Sequence, residues 1–264
     1  MRIGVNAWVW ISPFTHESLG LIQKAKEMGF DSFEIPLEDP ASLEPARVKA
    51  ALEKAGLRPL ACGAFGPDRD LTHEDASIRK NALAYLEQSI RFCSAIGAKV
   101  LAGPMYSAVG KRRHVPPDQK KTEWQRAVQG LRAAGKIAAD AGVVLAVEPL
   151  NRFETDLINT CQQCVSLVQE VGNDAVRVHL DTFHMNIEEH SLLEAIRLAG
   201  PRLAHIHACE NDRGTPGSGP VRWNELAAGL KEVGYQGDVV IESFTPDCKV
   251  IAAAAAIWRL LAPS

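Results

Sequence analysis

The chain has 264 residues, 46% of them hydrophobic and 23% charged, and a formal net charge of −3. That length suits one α/β domain of about 250 residues, which buries a full core without disulfides or a structural metal. The mild acidity excludes a global field that would draw nucleic acid or an anionic membrane, so neither is expected as a partner.

The opening MRIGVNAWVW lacks the basic region, apolar run and small-residue cleavage site of a secretory leader. The segment IAAAAAIWRLLA is too short to span a bilayer and carries Arg259. A cytoplasmic protein is the expectation. Six cysteines (Cys62, Cys93, Cys161, Cys164, Cys209 and Cys248) are too sparse for a disulfide framework. CQQC has redox spacing without thioredoxin-like surroundings, and helix packing is expected there.

In chain order, IGVNAWVW reads as a strand leading into the helical stretch HESLGLIQKAKEM, DSFEIPL leads into EPARVKAALEKA, and RPLACGAF into ASIRKNALAYLEQSIRFCSAI. AKVLAGPM is followed by PDQKKTEWQRAVQGLRAAGKIAADA, VVLAVEPL by TCQQCVSLVQEV, and VRVHLDT by a loop and then SLLEAIRLA. LAHIHACE with WNELAAGLKEV, and DVVIESF with VIAAAAAIWRLLA, complete the series. The runs are short and β-rich, whereas the stretches between them keep a helical apolar period. Gly29, Gly56, Gly97, Gly142 and Gly237 each precede a strand and are expected to end helices in left-handed geometry. Eight alternating units without a linker predict a parallel sheet closed as a (β/α)8 TIM barrel, one domain over residues 1–264. A doubly wound open sheet would want a Gly-rich fingerprint after the first strand, and WVWISPFTHES has none.

In such a barrel the C-terminal strand ends share one mouth. The last four strands end in Glu148, Asp181, His207 and Glu242, each separated from the next by about one βα unit. Three carboxylates facing one another would repel and drive their pKa values upward, and a divalent cation removes that conflict. Three carboxylate oxygens and one imidazole suit a hard or borderline ion: Mn²⁺ first, with Co²⁺ or Mg²⁺ as alternates. Just past these ends lie Glu154, His184 and Arg213, groups able to hold the hydroxyls of a small polyol.

VEPLNRFET, HLDTFHMNIEE, HIHACENDRG and VIESF resemble signature stretches of the ketose 3-epimerases, which act on D-tagatose, D-allulose and L-ribulose within the wider xylose isomerase-like barrel superfamily. The likeness is strongest from about residue 143 to 258. It implies Glu148, Asp181, His207 and Glu242 as metal ligands, with Glu148 and Glu242 doubling as acid and base. It also implies that Glu154, His184 and Arg213 contact the O1–O2 end of a ketose, and that the assembly is a homodimer or homotetramer. The implied reaction inverts C3 of a free ketose through an enediolate. Some relatives carry a tryptophan in the loop after strand four. Here AGPMYSAVGKRRH has none, leaving Tyr106 or Val109 nearby. Asn6, Trp8, Phe65 and Phe244 are expected to line the distal pocket.

The same scaffold hosts aldose–ketose isomerases, including hydroxypyruvate isomerase, and these form the alternative reading. An endonuclease IV-type site would need further histidines, which ACGAF and LAGPM lack. A barrel that merely binds a sugar would leave the convergent polar groups unexplained. KRRH, Lys111 to His114, is expected to be a solvated loop rather than a phosphate grip, and RGTPGSGP lacks the GK[ST] of a phosphate loop. A free sugar is therefore favoured over a sugar phosphate.

Overall fold

The computed structural model describes residues 1–245 and 249–261, so Cys248 lies outside the described residues. Eight strands, β1 (Arg2–Asn6), β2 (Ser32–Leu37), β3 (Arg58–Gly63), β4 (Val100–Gly103), β5 (Val144–Val147), β6 (Val176–Asp181), β7 (Leu203–Ala208) and β8 (Asp238–Ile241), pair in parallel with their sequence neighbours. β8 pairs with β1, from Arg2↔Asp238 to Val5↔Ile241, and closes the barrel.

Nine helices are described: α1 (Gly20–Glu27), α2 (Pro45–Ala55), α3 (Ala76–Ile96), α4 (Pro117–Ala141), α5 (Cys161–Val171), α6 (Thr182–Glu188), α7 (Leu192–Ala199), α8 (Trp223–Glu232) and α9 (Val250–Leu261). Helices flanking such a barrel need an apolar stripe toward the sheet. α7 shows it plainly, burying Leu192, Ala195, Ile196 and Ala199 at helical spacing. The strands are covered on both sides, which is why β2 is buried along its whole length. α3 and α4 span the expected residues. Asp75 Oδ1 caps α3 by accepting from Ser77 N at 2.7 Å, and Gly97 ends it at φ 83°. Cys161 and Cys164 are free thiols packed inside α5. No described helix is long and apolar enough to cross a membrane.

Three expectations need correction. The first strand does not run on to Trp10: it stops at Asn6, whose side-chain oxygen accepts from Trp8 N at 2.8 Å and turns the chain into a 3-10 segment, Ala7–Val9. Gly237 does not cap a helix in left-handed geometry; Gly234 does, at φ 64°. Gly237 is small for another reason, since a Cβ there would meet the Tyr235 hydroxyl at 2.3 Å. The segment after β6 is a helix, α6, rather than a loop, and Asp181 Oδ1 caps it by accepting from Phe183 N at 2.8 Å. His184 therefore sits one helical turn after Asp181, on the same face.

Candidate active site

Pairing register places two of the residues predicted at strand ends side by side. Asp181 on β6 is the partner of His207 on β7, while Glu148 and Glu242 follow directly on β5 and β8. Donor atoms of Glu148, Asp181 and His207 lie within 4.8 Å of one another, all three residues buried. Glu242 adjoins this trio, with its Oε2 3.3 Å from His207 Nδ1. The four residues named from the strand ends thus share one place at the barrel mouth.

Charge there is unbalanced. Burial first, then Asp181 and Glu242, pushes the Glu148 carboxyl well above the usual carboxylate range. Burial also raises Asp181, against the pull of Arg213. Burial opposes a charge on His207, yet Glu242 and Glu34 on its two sides raise it well above the usual imidazole value. His207 Nδ1 is buried and has no hydrogen-bond partner. An orphaned imidazole nitrogen facing oxygen donors, among acids too crowded to ionise together, fits a divalent cation held by Glu148, Asp181, His207 and Glu242.

Arg213 reaches into this group from the loop after β7. Its Nη1 donates to Asp181 Oδ2 at 2.6 Å and Glu242 Oε2 at 2.9 Å, and its guanidinium lies over the Phe183 ring, 4.1 Å from the centroid. Its backbone sits at φ 62°, and its carbonyl accepts from Phe244 N at 2.9 Å, which ties that loop to the residue after Ser243. His184 is fixed by Asn151: its Nδ1 accepts from Asn151 N at 3.0 Å. A backbone N–H can only donate, so the neutral ring carries its proton on Nε2. Burial and Arg213 keep the ring neutral by lowering its pKa well below the usual value. Nε2 points inward, 3.1 Å from Arg213 Nη2 and 3.7 Å from Glu148 Oε1. Two N–H donors therefore converge on one spot beside the acids. Glu154 stands close by, its Oε1 accepting from Asn151 Nδ2 at 3.0 Å.

These groups open onto a cavity of about 370 Å³ lined by Glu148, Glu154, His184, His207, Arg213 and Glu242 on one side and by Trp8, Phe65, Val109 and Phe244 on the other. Trp8 and Phe244 meet edge to face at 6.2 Å, and Trp8 Nε1 is held by Glu38 Oε1 at 2.6 Å. Of the two residues expected near the strand-four loop, Val109 lines the cavity. Tyr106 is fully buried behind it, donating to Ile158 O. Asn6, expected in the distal pocket, lies instead beneath the floor: it is fully buried and donates to Glu34 Oε2 at 2.7 Å.

Two further departures concern residues outside the mouth. The KRRH loop is solvated at Arg112, Arg113 and His114, as expected, but two of its cations are also held in ion pairs. Lys111 pairs with Asp70 at 2.7 Å, and Arg113 donates to both oxygens of Glu123 and pairs with Asp156. Below the mouth lie Glu34, His179 and His205, all fully buried and none singled out from the sequence. A charge inside the otherwise apolar run SFEIPL was the available signal for Glu34, and the alternation HIH for His205.

Residues 22–261 match the family model described as xylose isomerase-like TIM barrel. A protein of Synechocystis sp. named probable ketose 3-epimerase is 35% identical over 264 residues, covering 100% of this chain and 91% of that one. The solved structure of D-psicose 3-epimerase with D-tagatose from Clostridium cellulolyticum superposes with a TM-score of 0.87 at 32% identity, covering 99% of this chain and 91% of that chain. The 3-dehydro-D-guloside 4-epimerase of Escherichia coli is 32% identical over 92% of each chain.

Proposed function

As a chain that belongs to the xylose isomerase-like TIM barrel family, alongside the ketose 3-epimerases, this protein is one we propose to epimerise a free ketose at C3, of the D-fructose/D-allulose, D-tagatose/D-sorbose or L-ribulose/L-xylulose type. The observation that carries the reading is the pair of buried carboxylates, Glu148 and Glu242, set around one His207 and faced by two converging donors, His184 Nε2 and Arg213 Nη2.

Inverting C3 requires taking a proton from one face of the sugar and returning one to the other. Glu148 and Glu242 project from β5 and β8, on either side of the strands that carry Asp181 and His207, so each can serve one face. One carboxylate removes the C3 proton, the other protonates the opposite face, and their roles exchange for the reverse epimer. His184 Nε2–H and Arg213 hold the oxygens at the O1–O2 end, and their donors stabilise the charge that develops on the C2 oxygen of the enediolate. A divalent metal held by Glu148, Asp181, His207 and Glu242, with Mn²⁺ the first to try, supplies Lewis-acid polarisation of the carbonyl. The apolar side, Trp8, Phe65, Val109 and Phe244, excludes water from the remainder of the sugar. Among the described residues no lysine lines the cavity, and its arginine, Arg213, is already paired with Asp181 and Glu242, which favours a free sugar over a phosphate.

Proton NMR of the Mn²⁺-supplemented protein with D-fructose, D-tagatose or L-ribulose in D₂O tests this. Deuterium at C3 together with the C3 epimer, lost on adding EDTA, is the expected result. Label at C1 or C2 with aldose formation would replace it with the isomerase reading. A parallel sample with a 3-keto glycoside serves as control: exchange at C4 there, with none in the ketoses, would move the assignment to a 4-epimerase.

A further inference from the structure

Interiors of such barrels are filled mainly by branched aliphatic side chains, so an ionisable group at full burial requires an explanation. Glu34, on β2, is 0% exposed and does not line the cavity. Its two oxygens face different neighbours, and Oε2 is the one that takes hydrogen bonds. Oε1 lies 2.8 Å from His205 Nε2. Oε2 lies 2.7 Å from His207 Nε2 and accepts from Asn6 Nδ2 at 2.7 Å. The same Asn6 nitrogen stands 3.5 Å from Glu242 Oε1, and the Asn6 oxygen holds Trp8 N. An amide nitrogen only donates, so Asn6 Nδ2 makes Glu34 Oε2 an acceptor. His207 Nε2, 2.7 Å from that same oxygen, therefore donates to it, which leaves Nδ1, the orphaned atom 3.3 Å from Glu242 Oε2, as the nitrogen free to ligate.

We propose that Glu34 is a positioning residue: it fixes the Nε2–H tautomer of His207 and, through Asn6, steadies Glu242, so that one carboxylate outside the cavity aligns two of the four candidate ligands. The inference rests on the metal reading above. Histidines that bind metals commonly donate their second N–H to a carboxylate, and loss of that partner weakens metal affinity roughly 10–100-fold. Glu34→Gln is nearly isosteric and keeps one acceptor oxygen, but it removes the negative charge that makes the bonds to His207 and Asn6 charge-assisted. The hold on the His207 Nε2–H tautomer is weakened accordingly.

The test is calorimetric titration of Mn²⁺ into the substrate-free protein, with unfolding of the EDTA-treated protein followed alongside. Expected is a weakening of about 10–100-fold in Glu34→Gln, with Glu34→Asp recovering part of it. The ketose KM at saturating Mn²⁺ should stay within a few-fold of the parent. Unchanged Mn²⁺ affinity in a folded Glu34→Gln overturns the proposal. Absence of Mn²⁺ binding by the unsubstituted protein would instead overturn the metal reading. Should Glu34→Gln fail to fold, ¹⁵N NMR of the unsubstituted, Mg²⁺-saturated protein decides: His207 must show Nε2–H, and a proton on Nδ1 overturns the role given to Glu34.

Discussion

Two charged networks stand in the same half of this barrel, and they are built on opposite principles. At the mouth, Glu148, Asp181 and Glu242 crowd around His207 with Arg213 as the added cation, and Glu148 is left without a close partner. At the rim, Lys111, Arg113 and Lys120 match Asp70, Glu123 and Asp156 almost pair for pair. The rim network links the loops after β3, β4 and β5 to α4, and its acids are already satisfied by the protein. The mouth is not. Charge that a fold leaves unsatisfied in a cleft points to a task outside the fold, whereas charge that is fully paired points to architecture.

The strongest way to break that contrast is Glu148→Gln. Removing one of the two proposed acid/base groups should lower kcat about 10²–10⁴-fold. If Glu148 is frustrated rather than structural, the EDTA-treated variant should melt no lower than the parent. A clear drop in melting temperature would place the mouth in the same class as the rim. Lys111→Met makes the converse experiment. It leaves Asp70 buried without its cation, while Glu123 keeps Arg113, a change that costs about 3–5 kcal/mol in denaturant unfolding. Turnover should survive, since Gly110 N still donates to Glu154 O and Asp156 N to Lys111 O. A tenfold loss of kcat in the folded variant would mean the rim takes part in the chemistry.

The difference between the two regions also marks what a reader of the sequence could see. Glu148, Asp181, His207 and Glu242 were legible because strand ends recur at one unit's spacing and the barrel brings such ends together. The rim was opaque. KRRH looks like any basic loop, and its partners Asp70, Glu123 and Asp156 are scattered over three other segments that only the folded chain unites. A first strand unbroken to Trp10 would put Asn6 in the cavity wall beside Trp8. The Asn6 side chain instead ends the strand by capping Trp8 N, which turns Asn6 under the floor and Trp8 into the wall. Glu34 and His205 carry no such strand-end signal; a strand's alternation says which face a residue takes, but not that two strands on different sides of a barrel meet through their side chains.

Metal addition separates the regions more gently. Mn²⁺ at about a hundred times its Kd should stabilise the protein by roughly 2.7 kcal/mol. Asp181→Asn should remove most of that increment, while Arg113→Lys should leave it intact though the protein starts from a lower melting temperature. Equal loss in both variants would mean that the cation is not held at the mouth.

The smallest effect is one of sign. Burial opposes the charge on Asp156, but Lys120 and Arg113 lower its pKa below the usual aspartate value. Its folded-state pKa is depressed, so its contribution is fully present above the ordinary aspartate range and is lost as pH falls through the folded value. Glu148 is raised, so in the EDTA-treated protein its penalty is absent below the ordinary glutamate range and grows as pH rises through the raised value. Stability differences between parent and variant should thus move oppositely with pH. The deficit of Asp156→Asn should shrink only in strong acid, below the ordinary aspartate range. The advantage of Glu148→Gln should widen from mildly acidic pH upward and collapse when Mn²⁺ is restored, because the cation then supplies the partner that the fold withholds. Parallel pH profiles for the two variants would show that the mouth and the rim share one electrostatic design.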